Sequence, residues 1–182
     1  MWHTLDNVEK FIDSLVVADE QLAEVERRKG CQCGGRLHRA DYPRKARGVP
    51  GQWDRAFAQR FSFCCAEREC RRRRTPPSLR FFGRRVYVAA VVVACCATTL
   101  PTTRAVAPRR TVDRWRQFFR HQFVDSRFWH HARAWLMPPV REDALPGSLV
   151  ERFAGDWATR MYQTLRFLAP ITTFSAGSPM EG

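Results

Sequence analysis

This sequence lacks a long apolar run. Its most hydrophobic stretch, Val86 to Ala97, is 12 residues, whereas a bilayer-spanning helix needs roughly 20. No membrane partner is expected. The first residues are acidic and amphipathic, without the basic and apolar regions of a secretory leader. Catalytic signatures are missing as well. There is no phosphate-binding glycine loop, no Ser/His/Asp order and no paired-carboxylate signature. No His-x-Glu or His-Glu-x-x-His accompanies the cysteines, which argues against a catalytic zinc. An enzyme is not expected. Lysine is scarce, occurring only at Lys10, Lys29 and Lys45; arginine makes up the rest of the 31 strong bases. Arginine's planar fork suits phosphate oxygens and guanine edges, although a GC-rich coding sequence produces the same ratio without any ligand.

What is present is positive charge in one place. The 182-residue chain carries +13 overall. Residues 1–30 hold seven acids and four bases, and residues 138–182 hold five acids and four bases. Residues 31–137 hold 23 bases and six acids, a balance of +17. A localised basic surface is the footprint of a polyanion binder.

Seven cysteines are also present. With no leader expected, the setting is read as reducing and cytoplasmic, where clustered cysteines bind metal more often than they pair. Cys31-Gln32-Cys33-Gly34-Gly35 and the Cys65–Cys70 pair look like two knuckles of a zinc ribbon. The expected ligands of a structural zinc are Cys31, Cys33, Cys65 and Cys70. Cys64 stays open as the alternative third ligand, and His38 as a substitute for Cys31. The alternative is that these cysteines pack as small reduced hydrophobes. Strands are expected over 36–43, ended by Pro43, and over 60–63. Arg71, Arg72, Arg73 and Arg74 follow the last cysteine. With Arg80, Arg84 and Arg85 they are read as a phosphate-holding ridge, or else as a solvated charge run.

The remaining segments read as helical. Leu5, Val8, Phe11, Ile12, Leu15 and Val16 recur at helical spacing, and Asp19 is a candidate cap for a second N-terminal helix. Residues 86–97 suit either a buried strand or a buried helix. Valine favours the strand, but length and the alanines favour the helix, which is the expected form. A short helix over 102–107 and a turn at Pro108 precede an amphipathic helix over 111–120, with Thr111 as its cap. That order is the order of a helix-turn-helix, whose last helix reads bases from its N-terminal end. Arg109, Arg110, Thr111, Asp113 and Arg114 are the candidate base readers; Trp115 and Phe119 are assigned to the core. His130 and His131 are read as surface residues or phosphate contacts, on a helix running to Met137. Ser148 and Glu151 suggest a capping box for one helix over 145–168, striped by Leu149, Phe153, Trp157, Met161 and Leu165. That stripe packs on the chain's own core, on a second protein or on a second copy of the chain.

Taken together, Cys31-Gln32-Cys33-Gly34-Gly35, the Cys65–Cys70 knuckle with its arginines, and Arg109-Arg110-Thr111-Val112-Asp113-Arg114-Trp115-Arg116 resemble the DNA-binding modules of bacterial insertion-sequence transposases and their small accessory proteins. The resemblance covers roughly residues 31–120. It implies recognition of element ends by ribbon and helix-turn-helix. The strand-cutting domain of such enzymes has no room here, because Asp113, Asp125, Glu142, Asp143, Glu151 and Asp156 fall between residues 113 and 156 without the alternating strands and helices that such a domain needs.

The expected fold is therefore mainly α with a small β zinc ribbon. Amphipathic helices occupy 1–30, a zinc ribbon 31–75 and a basic helix-turn-helix-like domain 76–137. An amphipathic C-terminal helix follows over 138–171, then a disordered tail over 172–182. The expected function is DNA binding with a structural zinc, transposon-associated or regulatory, in the cytoplasm at the nucleoid. RNA is the alternative polymer. A protein-docking or RNA-binding adaptor working through residues 145–168 is the alternative function.

Overall fold

The computed structural model describes residues 8–49, 55–83, 86–97 and 106–173. These residues are mainly helical, with two small antiparallel sheets. Arg84, Arg85 and most of the short helix expected at 102–107 lie outside them.

Helix α1 spans Val8–Lys29 without a break. Phe11, Ile12, Leu15, Ala18 and Ala23 form its buried stripe. The expected second helix starting at Asp19 is a misreading. Asp19 lies on the same stripe and is fully buried, so its carboxylate is a core group and not a cap.

The chain then forms β1 (Leu37–Arg39), β2 (Tyr42–Pro43), the short helix α2 (Arg55–Ala58), β3 (Gln59–Arg60), β4 (Phe63–Cys65) and β5 (Arg73–Arg74). β4 lies between β1 and β5, antiparallel to both. β2 pairs antiparallel with β3. Leu37, Phe61 and Phe63 make a small core together with Ala23 of α1, so the end of α1 is packed onto this sheet.

A larger core surrounds α3 (Ala89–Ala97). Every residue from Ala89 to Cys95 is buried. A helix that is apolar all round must be enclosed, and α3 is wrapped by the helices that follow it. The helix begins three residues later than expected, because Tyr87 and Val88 form single extended bridges to Arg47 and Phe81.

After α3 come α4 (Arg109–Phe118), a π-helical turn (Phe119–Phe123) and α5 (Arg127–Ala132). Trp115 and Phe119 are buried, in the core as assigned. Thr111 is not the cap of α4: the helix starts at Arg109 after Pro108, whose carbonyl accepts the Thr111 and Val112 N–H groups. Ser126 caps α5 by accepting the Trp129 N–H. The helix expected to reach Met137 ends early, with a 3₁₀ turn over Arg133–Trp135, and Trp135 is 79% exposed. α3 and α4 are in contact. Between them Val106 and Ala107 form a turn and bend, so the described residues do not establish a helix-turn-helix.

The single helix expected over 145–168 is two helices, α6 (Gly147–Glu151) and α7 (Trp157–Leu168). α6 stops at Glu151, Gly155 with φ +109 keeps the linker non-helical, and Asp156 starts α7 by accepting the Thr159 N–H. The expected capping box is not formed: the Ser148 hydroxyl donates to the Arg141 carbonyl instead. Met161, Leu165 and Leu168 are buried in the chain's own core, with Phe153 and Trp157 half-buried against it. The tail expected to be disordered from residue 172 is ordered at its start. Thr172 is buried, and its hydroxyl oxygen accepts the Ser78 N–H at 2.8 Å. Residues 174–182 lie outside the described part. No helix among the described residues is long and apolar enough to cross a membrane.

Candidate metal centre

Four sulfurs converge where α1 meets the three-stranded sheet. Gly30 ends α1, and Cys31 and Cys33 follow on a tight turn in which the Gly34 N–H donates to the Cys31 carbonyl at 2.9 Å. Cys65 comes from the end of β4 and Cys70 from the turn leading into β5. Their sulfur atoms all lie within 4.8 Å of one another. Cys31 and Cys70 sulfurs are 3.6 Å apart, and Cys33 and Cys65 sulfurs are 3.4 Å apart. A tetrahedral zinc thiolate with Zn–S near 2.3 Å sets sulfur–sulfur edges of about 3.8 Å. A disulfide needs roughly 2.05 Å. The spacing therefore suits four ligands around one ion and not paired cystines.

The register of the sheet decides among the candidate ligands. Leu37 stands opposite Cys65, and His38 stands opposite Cys64. Neighbouring strand residues point to opposite faces. Leu37 and Cys65 face the small core, while His38 and Cys64 share the other side. The Cys64 thiol donates to the Arg71 carbonyl at 3.5 Å, outside the cluster. Cys65 is thus the third member, and neither Cys64 nor His38 belongs to the set.

Gly35 is required by this geometry. A Cβ on it would stand 2.8 Å from the Cys65 sulfur and 3.3 Å from the Cys33 sulfur. The chain must pass the cluster closely, and only glycine leaves the space.

The thiols sit in contrasting environments. Burial pushes Cys65 up to about 12. The Cys33 backbone N–H, donating to the Cys31 sulfur, pulls Cys31 down to about 7. A soft divalent cation resolves that tension, since it favours every thiolate at once and supplies the missing positive charge. The donor set therefore fits a metal ion of the zinc class, and Cys31, Cys33, Cys65 and Cys70 are the residues that can hold it.

The arginines expected to form one ridge are placed unequally. Arg71, Arg72 and Arg73 are exposed. Arg72 donates to the Gln32 side chain at 2.8 Å, and the Arg73 guanidinium lies over the Tyr42 ring at 5.9 Å. Arg74 is half-buried and paired with Glu26 of α1 at 3.6 Å. Arg80 does not belong to the ridge. It is fully buried, with Nε donating to Asp19 at 2.8 Å and Nη1 to the Phe57 carbonyl at 2.8 Å. Ser78 Oγ and the Leu79 N–H also donate to Asp19. Arg60 is buried nearby and donates to the Pro76 carbonyl. Burial lowers the affinity of Arg60 for its proton, and the Asp19 charge opposes that. This Asp19–Arg80 anchor escaped sequence reasoning. Its signal was an acid on an apolar helical stripe.

On α4, Arg109 and Arg116 each approach Asp113 at 3.8 Å. That arrangement ties three charges into an internal ladder and makes Asp113 a counter-ion. Arg110 and Arg114 are exposed, and Thr111 is half-buried. His130 and His131 are exposed, on the surface as read. No protein family, curated protein or solved structure matches the chain. The resemblance to transposase DNA-binding modules rests on the quoted motifs.

Proposed function

We propose that this chain is a nucleic-acid-binding protein, with DNA as the preferred polymer, whose basic face is ordered by a structural zinc. The observation that carries the reading is the continuity from the cysteine cluster to the arginines. Cys70 is followed directly by Arg71, Arg72 and Arg73, all exposed, which lead into and begin the strand paired with the one that carries Cys65. A metal held there fixes the backbone from which three guanidiniums project. Residues 31–137 carry 23 bases against six acids, which suits a polyanion. Arg110 and Arg114 on α4, with the half-buried Thr111 beside them, are the proposed base contacts, and the ribbon arginines are the proposed phosphate contacts. Recognition, not strand cutting, is the proposed role, in a mobile element or a regulator. The apolar stripe of α7 packs on the chain's own core, which favours the nucleic-acid reading over a docking adaptor.

Duplex binding measured against salt tests the division of labour. Each phosphate neutralised contributes about 0.9 to the slope of log K against log salt. The triple variant Arg71→Ala/Arg72→Ala/Arg73→Ala is expected to flatten the slope by about 2 to 3. Arg110→Ala/Arg114→Ala is expected to lower discrimination between selected and random duplexes, by about 1–3 kcal/mol for each base-reading side chain removed. If both variants change slope and discrimination alike, the assignment is wrong.

A further inference from the structure

A groove of about 700 Å³ runs along one face of α4 and the π-helical turn after it. That volume lies within the roughly 300–1,000 Å³ of ligand clefts. Arg114 and Gln117 of α4 line one wall, with His121 and Gln122 of the π turn beyond them. Arg47, from the loop after β2, and the buried Trp115 also line it. None of the described lining residues is acidic. Among the described residues, neither Arg47 nor Arg114 makes an ion pair, and the nearest acid on α4, Asp113, is engaged with Arg109 and Arg116.

The walls are held in place. The Arg47 N–H donates to the Val86 carbonyl at 2.8 Å, and the Arg47 carbonyl accepts from the Val88 N–H at 3.1 Å. Gly48, next to it, lets the loop lie against α3, since a Cβ there would meet Val91 at 2.8 Å. Tyr87 and Trp115 stack edge to face, with centroids 5.0 Å apart, under the groove. The π turn in the wall is a wide, rare geometry that is often found at functional sites.

From this we infer that the groove is a nucleotide site. It takes one phosphate-bearing nucleotide unit, with the phosphate held by Arg47 and the base edge met by Arg114 and the Gln117 and Gln122 amides. Guanidiniums are phosphate partners, and a glutamine amide presents a donor and an acceptor that match a base edge. The unit comes from a nucleic-acid strand or from a free nucleotide. The strand as source rests on the nucleic-acid reading above; the groove chemistry does not.

Anisotropy of a fluorescein-labelled 12-nucleotide single strand, titrated with the zinc-loaded full chain, is the test, with AMP and inorganic phosphate as competitors. A direct calorimetric titration with AMP runs beside it. Arg47→Ala, Gln117→Ala/Gln122→Ala and Arg71→Ala/Arg72→Ala/Arg73→Ala are compared with the unsubstituted chain, each checked for fold by circular dichroism. Arg47→Ala is expected to weaken strand binding about tenfold, with recovery in Arg47→Lys. The glutamine pair is exposed, so its substitution leaves the fold intact; it is expected to narrow the difference between adenine-rich and cytosine-rich strands. AMP that competes more strongly than phosphate supports the groove. Strand binding abolished only in the ribbon variant overturns the groove and keeps the nucleic-acid reading. AMP binding weakened by Arg47→Ala, with no strand binding in any form, keeps the groove with a free nucleotide as its ligand and overturns the strand as its source. No binding of either ligand overturns the groove, and duplex binding stands or falls on its own salt titration.

Discussion

Asp19→Asn removes one negative charge from the centre of the molecule. The carboxylate is fully buried and accepts from Ser78 Oγ, the Leu79 N–H and Arg80 Nε. Arg80 is buried to the same degree, and Arg60 lies close enough to feel the same charge. An exposed pair here would be worth little, about 0–1 kcal/mol. A buried pair is different. Removing one partner leaves the other charge in a low-dielectric interior, at a cost of about 3–5 kcal/mol. The asparagine amide keeps one acceptor but turns two donors toward groups that are themselves donors, so little of that cost is recovered. Against a total stability of roughly 5–15 kcal/mol, the variant is expected to be near the edge of folding. Urea unfolding followed by circular dichroism, with zinc in excess, measures the loss. The double variant Asp19→Leu/Arg80→Met removes both charges and is expected to regain part of the stability, the rest staying lost because Ser78 Oγ and the Leu79 N–H no longer have their acceptor. A loss below about 1 kcal/mol in Asp19→Asn, or a double variant no better than the single, would refute the reasoning.

Three further outcomes follow from the same geometry. Gly35→Ala places a methyl 2.8 Å from the Cys65 sulfur and is expected to cost about 1–3 kcal/mol, read as earlier zinc release in a chelator competition at unchanged helical content. Glu142 is held below its ordinary 4.5, first by the Trp129 indole N–H at 2.7 Å and then by Arg133. Its pKa is depressed on folding, so its contribution is present above 4.5 and lost as pH falls through the lower folded value; Glu142→Gln is expected to lower the stability curve above 4.5 and converge with the unsubstituted chain in acid, as pH-dependent urea midpoints would record. Arg74→Ala is expected to change the salt slope of duplex binding less than Arg73→Ala, because Glu26 already neutralises Arg74 at 3.6 Å while Arg73 is exposed.

Local pattern carried the cysteine reading. Two knuckle-like cysteine pairs, the first trailed by Gly34-Gly35, named four sulfurs that the fold does gather. The choice between Cys64 and Cys65 needed strand register, which follows from the pairing of residues 26 to 28 positions apart and leaves no local mark. The burial of α3 was legible from its unbroken apolar run. Its starting point was not, since the Tyr87 bridge to Arg47 is a long-range contact. Two misreadings share one cause: a regular apolar stripe hides events between its members. Along residues 149–165 the i+4 series runs straight over Gly155-Asp156, a left-handed residue followed by a cap. Along α1 the same regularity made Asp19 look like a helix start, when its position among Ile12, Leu15 and Ala23 placed it in the core. The arginine ridge was legible as charge and illegible as geometry. Sequence alone does not separate the buried Arg80 from the exposed Arg71, Arg72 and Arg73.

The central claim is that Cys31, Cys33, Cys65 and Cys70 hold one structural zinc. Elemental analysis of the chain purified without added metal tests it most directly, alongside Cys31→Ser, Cys70→Ser and Cys64→Ser. The account predicts one zinc per chain, lost in the first two variants and kept in Cys64→Ser, whose sulfur points to the Arg71 carbonyl. No zinc in the unsubstituted chain, or zinc lost from Cys64→Ser and retained in Cys70→Ser, would contradict it.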